Sequence, residues 1–408
     1  VAGSTPGVEW STYVEMVASG NPRLREVAQG FADAQGRAIQ LRAVAYPTAD
    51  ALALALPPTF YFRIEQVLVD RAVGPQFELA RLAPRLAQAR FEAALEDTVF
   101  TARQSFAAAL AAGQRVRILE DHAPRAAELA RQSAALFEAG RAQRADVARL
   151  EVRANLLAQK LAEARTSHQS ALAELAALAG RPGPRRPRGP RGEDPPPPLD
   201  APALIQEALQ NRADLEFLRR EQLVSGQNLL LATRPLYPRL ALFTNPVFQP
   251  ANVGSDFDIG RNDNEPTLIR REETSQLPAG VRLTWTLLDG GASAGQKRSA
   301  QAELLSQKEA LAALESALPG EIAHALATLR AAHGNLERAV LAPSPAQLRQ
   351  AAESDYTAGR LSLADRVRAE DTVLAQEMAL LSARLACSLA SSALDAARGR
   401  VVRLVTTP

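Results

Sequence analysis

Residues 139–146 read Ala-Gly-Arg-Ala-Gln-Arg-Ala-Asp and residues 358–365 read Ala-Gly-Arg-Leu-Ser-Leu-Ala-Asp, an offset of 358 − 139 = 219. The same offset joins Glu151 to Glu370 and Gly180 to Gly399, and upstream it joins Arg63 to Arg282 and Asp70 to Asp289. Unrelated Ala-rich helices share composition, but they do not hold one register through Gly, Asp and Glu positions. The chain is two copies of one unit. Nearer the start of each copy the offset is smaller. Tyr46-Pro47 returns as Tyr237-Pro238, 237 − 46 = 191 positions on, and Asn21-Pro22 has its counterpart, with one residue inserted, in Asn211-Arg212 at the head of a similar helical run. The second copy therefore gains 219 − 191 = 28 residues, and the gain falls within Asn245 to Leu277. That stretch mixes Asp and Glu with Pro and Gly and reads as a solvated loop.

Downstream of the turn, apolar positions run Val147, Leu150, Ala154, Leu157, Leu161, Ala164, His168, Ala171, Leu175, Leu178. Spacings of three and four alternate throughout, which is the seam of a left-handed coiled coil. The second copy repeats it through Ala369, Val373, Leu380, Ala383, Cys387, Ala390, Leu394 and Ala397, broken by Arg366 and Gln376. His168 and Cys387 hold the same seam position and read as core packing. Upstream, the run from Gly74 to Ala139 could build a helix of ~100 Å at ~1.5 Å per residue, with Pro124 expected to kink or break it.

Two extended segments differ sharply from the helices. Residues 51–56 alternate Ala and Leu until Pro57-Pro58 stops them, and residues 281–287 alternate apolar with polar. Such a period of two fits strands with one face toward lipid. Leu52, Leu54, Leu56, Val281, Leu283, Trp285 and Leu287 are the expected lipid face. Phe60, Tyr61, Phe62, Phe243, Phe248 and Trp285 cluster here although aromatics are only 5% of the chain, as in an interfacial belt. Four strands cannot close a barrel, and open edges invite pairing, so a protomer that supplies four must oligomerise.

Length, charge and cysteine count narrow the classes. The 408 residues carry a net charge of +2 with acid and base interspersed, so no basic field points to nucleic acid. One cysteine, Cys387, excludes an intrachain disulfide. His122, His168, His324 and His333 show no metal-ligand spacing, and no phosphate-cradling glycine motif is present, so neither cofactor, metal nor catalytic residue is expected. No stretch approaches the ~20 apolar residues of a spanning helix, which leaves a β-barrel as the expected way across a membrane. The chain starts at Val1 without a charged and apolar leader, so a signal peptide is expected to be removed or absent; Val1 offers no cysteine for a lipid anchor, so the expectation is an unlipidated chain or one whose true start is missing.

The expected organisation is a first repeat over 1–180, with strands near 46–56 and 60–69 and a long helix pair over 74–180. A stiff Pro/Arg-rich connector spans 181–202. A second repeat covers 203–400, with strands near 238–248 and 279–288, the inserted loop 245–277, a helix pair over 293–399, and then a tail over 401–408. The order helix, hairpin, long helix pair, connector, and again, resembles the TolC-type outer membrane efflux family over nearly the whole chain. The residues that carry the likeness are Leu287-Leu288-Asp289-Gly290-Gly291, Gly359-Arg360-Leu361-Ser362 with Asp365, and Asn21-Pro22.

The resemblance implies a mainly α protein with a small β part, trimerising into a twelve-stranded outer-membrane barrel and an α-helical tunnel that extends into the periplasm. It implies docking on a periplasmic adaptor of an inner-membrane pump through Gly140, Arg141, Ala142 and Gln143 and through Gly359, Arg360, Leu361 and Ser362. Read as ordinary turns, the same residues need only Asp146 and Asp365 as caps of the next helices. In the family an acidic ring constricts the tunnel near this tip. Asp365 matches its first position, but Arg368 follows one turn on, so a pair that locks helices together is the alternative. Two competing functions remain at this point: a soluble coiled-coil scaffold or adaptor in the periplasm, and an outer-membrane surface receptor that uses loop 245–277.

Overall fold

The structure is a computed structural model that describes residues 7–55, 58–181, 187–188, 200–245, 247–248 and 279–400. Strand β1 (Val8–Glu9), α1 (Trp10–Gly20) and α2 (Pro22–Ala43) lead into β2 (Thr48–Ala55) and β3 (Pro58–Val69), then the long helices α3 (Val73–Glu138) and α4 (Arg144–Leu178). After β4 (Pro187–Arg188) the series recurs as α5 (Ala201–Asn211), α6 (Ala213–Ala232), β5 (Arg239–Thr244), β6 (Val247–Phe248), β7 (Ala279–Thr284), α7 (Ala292–Leu341), α8 (Pro345–Thr357) and α9 (Leu363–Ala397). Leu56, the tail, most of the connector and nearly all of the inserted loop lie outside the described residues.

Two compact units divide the described chain, one of residues 7–29, 89–216 and 312–400, the other of residues 30–88 and 217–311. In the first, each copy lays a short helix across its helix pair. Val17 and Tyr13 of α1 pack with Ala102, Phe106 and Ala109 of α3 and Leu172 and Leu175 of α4. Leu204 and Ala208 of α5 pack with Leu318 and Ile322 of α7 and Cys387, Ala390 and Leu394 of α9. Along the seam Leu150, Leu157, Ala164 and Leu175 are buried, while His168 is half-buried with its ring beside Gly113. Helix α9 is long and apolar enough to cross a membrane by length and composition, contrary to the expectation that no stretch is. Its place here is in packing, with Val373, Cys387, Ala390 and Leu394 buried.

The expected break at Pro124 does not occur. Helix α3 is continuous through it, and the break falls at residues 342–344, around Pro343, which is Pro124 displaced by 219. Packing decides between the two prolines. His122, Ala123 and Ala126 are buried around the first, whereas Val340 and Leu341 beside the second are 61% and 84% exposed. A proline costs a helix about 3 kcal/mol, and only the first site has neighbours to offset it.

In the second unit the sheet order is β2-β3-β5-β7, all antiparallel, with β6 also on β3. Thr48 faces Glu65 in the first hairpin and Arg239 faces Thr284 in the second, and 239 − 48 = 191 while 284 − 65 = 219. Both offsets read from the sequence are therefore the offsets of a conserved hairpin register. Helix positions follow the smaller one. The residue that ends α1 is Asn21 and the one that ends α5 is Arg212, so Asn21 corresponds to Arg212 and not to Asn211. The last strand stops at Thr284, short of the expected 288, because β7 has no neighbour beyond it among the described residues.

Candidate functional site

Each copy's helix pair ends in the same turn. Gly140 N donates to Phe137 O at 2.9 Å and Arg141 N to Leu136 O at 2.7 Å; Gly359 N donates to Tyr356 O at 3.0 Å and Arg360 N to Asp355 O at 2.8 Å. This doubled closure requires a left-handed residue, and Gly140 and Gly359 have φ of 70° and 72°. The turns leave Gly140, Arg141, Gln143, Gly359, Arg360 and Ser362 exposed, with Ala142 and Leu361 half-buried.

The capping residues are Gln143 and Ser362, and the two aspartates sit three places further on. Ser362 Oγ accepts from Asp365 N at 3.2 Å, while Gln143 makes no side-chain cap bond. Asp365 and Arg368 pair at 2.8 Å, but they do so one turn apart on α9, so the pair joins no two helices. The copies also differ in charge balance. Asp355 holds Arg360 at 2.7 Å, whereas its counterpart is Leu136, and Arg141 has no acidic partner among the described residues.

Behind the second turn lies a buried polar cluster that reading the sequence missed. His122 of α3 is 2% exposed, and its Nε2 lies 3.1 Å from both Arg349 Nη2 of α8 and Glu377 Oε2 of α9. Arginine only donates and a carboxylate only accepts, so Nε2 serves one of them at a time. Glu370 Oε2 lies 3.8 Å from Nδ1, and Arg349 also reaches Asp121 at 3.1 Å and Glu370 at 3.6 Å. The available signal was Glu370 and Glu377, seven apart beside an otherwise apolar seam.

A second buried acid is Glu96 on α3, which accepts from Ala213 N at 3.2 Å while its Oε1 has no hydrogen-bond partner among the described residues. Burial, reinforced by nearby Asp214, pushes its carboxyl up to about 7. A carboxyl raised in this way favours the fold fully at pH below its unfolded value and loses that contribution as pH rises through about 7. Glu96→Gln should remove the dependence. Urea titrations at acid and mildly alkaline pH should find the variant gaining about 2 kcal/mol on the wild type at the alkaline end. Parallel curves at both pH values would contradict the assignment.

The sheet corrects one expectation outright. Pairing puts Asp50 opposite Arg63 and Leu52 opposite Tyr61, so Leu52 shares a face with Arg63 and Glu65, while the side chain of Leu54 lies outside the described residues. Val281 and Leu283 pair with Leu242 and Leu240 on the other face, which continues through Ile64, Ala49 and Ala51. Leu52 of β2 and the apolar residues Val281 and Leu283 of β7 are thus on opposite faces. Large side chains in an Ala/Leu alternation do not by themselves tell which neighbours share their face; the pairing does. The charged face is cross-linked by Glu65, which accepts from Arg239 at 3.0 Å and Arg282 at 3.2 Å. Trp285 and Leu287 lie past the strand end, 55% and 79% exposed. Among the described residues no group of three His, Cys, Asp or Glu is placed to hold a metal.

No protein-family model matches the chain, and no curated protein matches it. Solved structures do. The chain is similar to the CmeC outer membrane channel of Campylobacter jejuni, with a TM-score of 0.80 at 13% identity over 96% of this chain and 85% of that one. It is similar to the outer membrane protein VceC of Vibrio cholerae, with a TM-score of 0.72 at 18% identity over 96% of each chain. It is also similar to the open state of the MtrE outer membrane channel of Neisseria gonorrhoeae, with a TM-score of 0.69 at 17% identity over 98% and 91%. At these identities the likeness is one of fold. The protein has the protomer fold of the outer-membrane channels.

Proposed function

We propose that the protein is one protomer of a trimeric outer-membrane exit duct in a tripartite efflux or secretion system. It conducts passively and catalyses nothing. Substrate is delivered by an inner-membrane pump through a periplasmic adaptor that meets the two glycine turns. The observation that carries this reading is the sheet of two hairpins in one register, open at β2 and β7 among the described residues, apolar on the Leu240, Leu242, Val281 and Leu283 face and charged on the other. An apolar outer face and a polar inner one are what a lipid-embedded, water-filled barrel requires.

The face assignment predicts that Leu283→Arg lowers stability in a bilayer by about 2–4 kcal/mol, while Leu52→Arg, on the charged face, costs about 1 or less. Refolding into lipid vesicles from urea measures both; equal costs would reverse or remove the lipid face.

The docking role is tested in cells lacking their own exit duct and complemented with this chain, its adaptor and pump. The readout is growth inhibition across dyes, antibiotics and metal salts. Arg360→Glu and Leu361→Asp should abolish protection while leaving the extracted oligomer at its wild-type mass. Protection at the wild-type level would sink the tip assignment.

A further inference from the structure

At one place the second copy exchanges an apolar hold for a polar one. In the first copy Ala126, Leu129, Ala130 and Ser133 of α3 are buried. Displaced by 219 they become Pro345, Leu348, Arg349 and Ala352, the first half of α8, and no residue of α8 is buried. The chain is also broken just before it, at residues 342–344, where α3 runs on unbroken. A helix of 13 residues with no buried side chain is marginal by itself. Arg349 ties its first half to the bundle, reaching Asp121 and His122 of α3 and Glu370 and Glu377 of α9. We propose that His122 is a proton-operated latch on α8: without its second proton it holds Arg349, and with it it releases Arg349 and takes Glu377.

The exchange follows from the ring's two nitrogens. Glu370 Oε2 lies 3.8 Å from Nδ1, so the single proton of the neutral ring belongs there. Nε2 then has a free lone pair and accepts from Arg349 Nη2 at 3.1 Å. A proton taken up from water at Nε2 turns the acceptor into a donor. It serves Glu377 Oε2, also at 3.1 Å, and sets a positive charge against the guanidinium. The groups around the ring are Asp121 and Arg125 of α3, Arg349 of α8, and Glu370 and Glu377 of α9. Helix α4 packs alongside through Leu157, with Arg153 committed to Asp371 at 2.8 Å.

Losing His122 matters to Arg349 because its Nε and Glu370 Oε2, 3.6 Å apart, are buried without a hydrogen bond among the described residues. The far end of α8 is tied independently, since Arg366 of α9 pairs with Glu353 and lies over Tyr356 at 4.5 Å. Loosening therefore falls on residues 345–352, next to the break. On the duct reading, acid slackens the arm behind the Gly359 turn and leaves the Gly140 turn, carried by continuous α3, as it was.

The test is amide hydrogen exchange read by mass spectrometry on the full chain, at about pH 8 and about pH 5.5, on either side of the ordinary histidine range. After correction for the intrinsic pH dependence of exchange, residues 345–352 should open about tenfold more at the acid pH, the equivalent of one charge-assisted hydrogen bond. Residues 126–133, their counterparts, should not change. His122→Gln should remove the difference, and so should His122→Leu, which installs the residue the second copy carries at the equivalent position, Leu341. Equal protection at both pH values in the wild type overturns the latch. The same acid opening in both variants overturns His122 as its trigger. A native mass of one chain would sink the duct but leave this comparison intact, because every group of the latch belongs to a single chain.

Discussion

Gly180→Ala is expected to destabilise the protein by about 2–4 kcal/mol, against about 1 kcal/mol for Gly140→Ala. Both glycines sit in the left-handed region, at φ 61° and 70°, and both close a helix with the same pair of backbone bonds. What separates them is space. A Cβ on Gly180 would lie 2.1 Å from Gly20 O, whereas one on Gly140 meets nothing within 4 Å. Gly180 is where the end of α4 presses on the junction of α1 and α2. There buried Asn21 donates to Leu178 O at 2.9 Å and accepts from Arg23 N and Leu24 N at 2.9 and 3.2 Å. Opening that contact to admit a methyl group breaks the cap as well as straining the glycine. The second copy repeats the arrangement, with a Cβ on Gly399 coming 2.8 Å from Arg212 N, so Gly399→Ala should behave like Gly180→Ala. Urea unfolding followed by helical circular dichroism orders the three variants; equal losses at Gly180 and Gly140 would remove the close-approach argument.

Arg349→Leu is expected to cost about 3 kcal/mol, and adding Glu370→Leu should recover part of it. Arg349 is the cation of the cluster around His122, facing Asp121, Glu370 and Glu377 from α8. Glu370 is 8% exposed, and its Oε2 has no hydrogen bond among the described residues, so the Coulomb attraction of Arg349 is what compensates its desolvation. Removing the arginine alone strands a buried carboxylate; removing both leaves an apolar contact. A double variant less stable than the single one would mean that Glu370 is held by something other than Arg349.

The fold was legible because the duplication was. Positions fixed by backbone need, such as Gly140 and Gly359 in their turns, survive drift between copies and announce a common register. Heptad seams told which helix faces pack, since burial follows period. The face of β2 was not legible from its own leucines, because an Ala/Leu alternation has a large residue on one side whichever side meets lipid. The repeat held the answer. Leu52 maps by the 191 offset to Phe243, on the charged face beside Arg282, and Ala51 maps to Leu242. Pro124 misled for a different reason, since helix propensity is local and the burial of His122 and Ala123 that outweighs it is not. The His122 cluster stayed hidden because its members come from three helices, and only packing brings 122, 349, 370 and 377 together.

The most direct test of the central claim is to express the chain behind a signal peptide, fractionate the cells and measure the native mass of the detergent-extracted protein. An exit duct predicts an outer-membrane fraction and a mass of three chains. A soluble periplasmic monomer or dimer, with the signal peptide shown to be cleaved, would contradict it and leave a coiled-coil scaffold in its place.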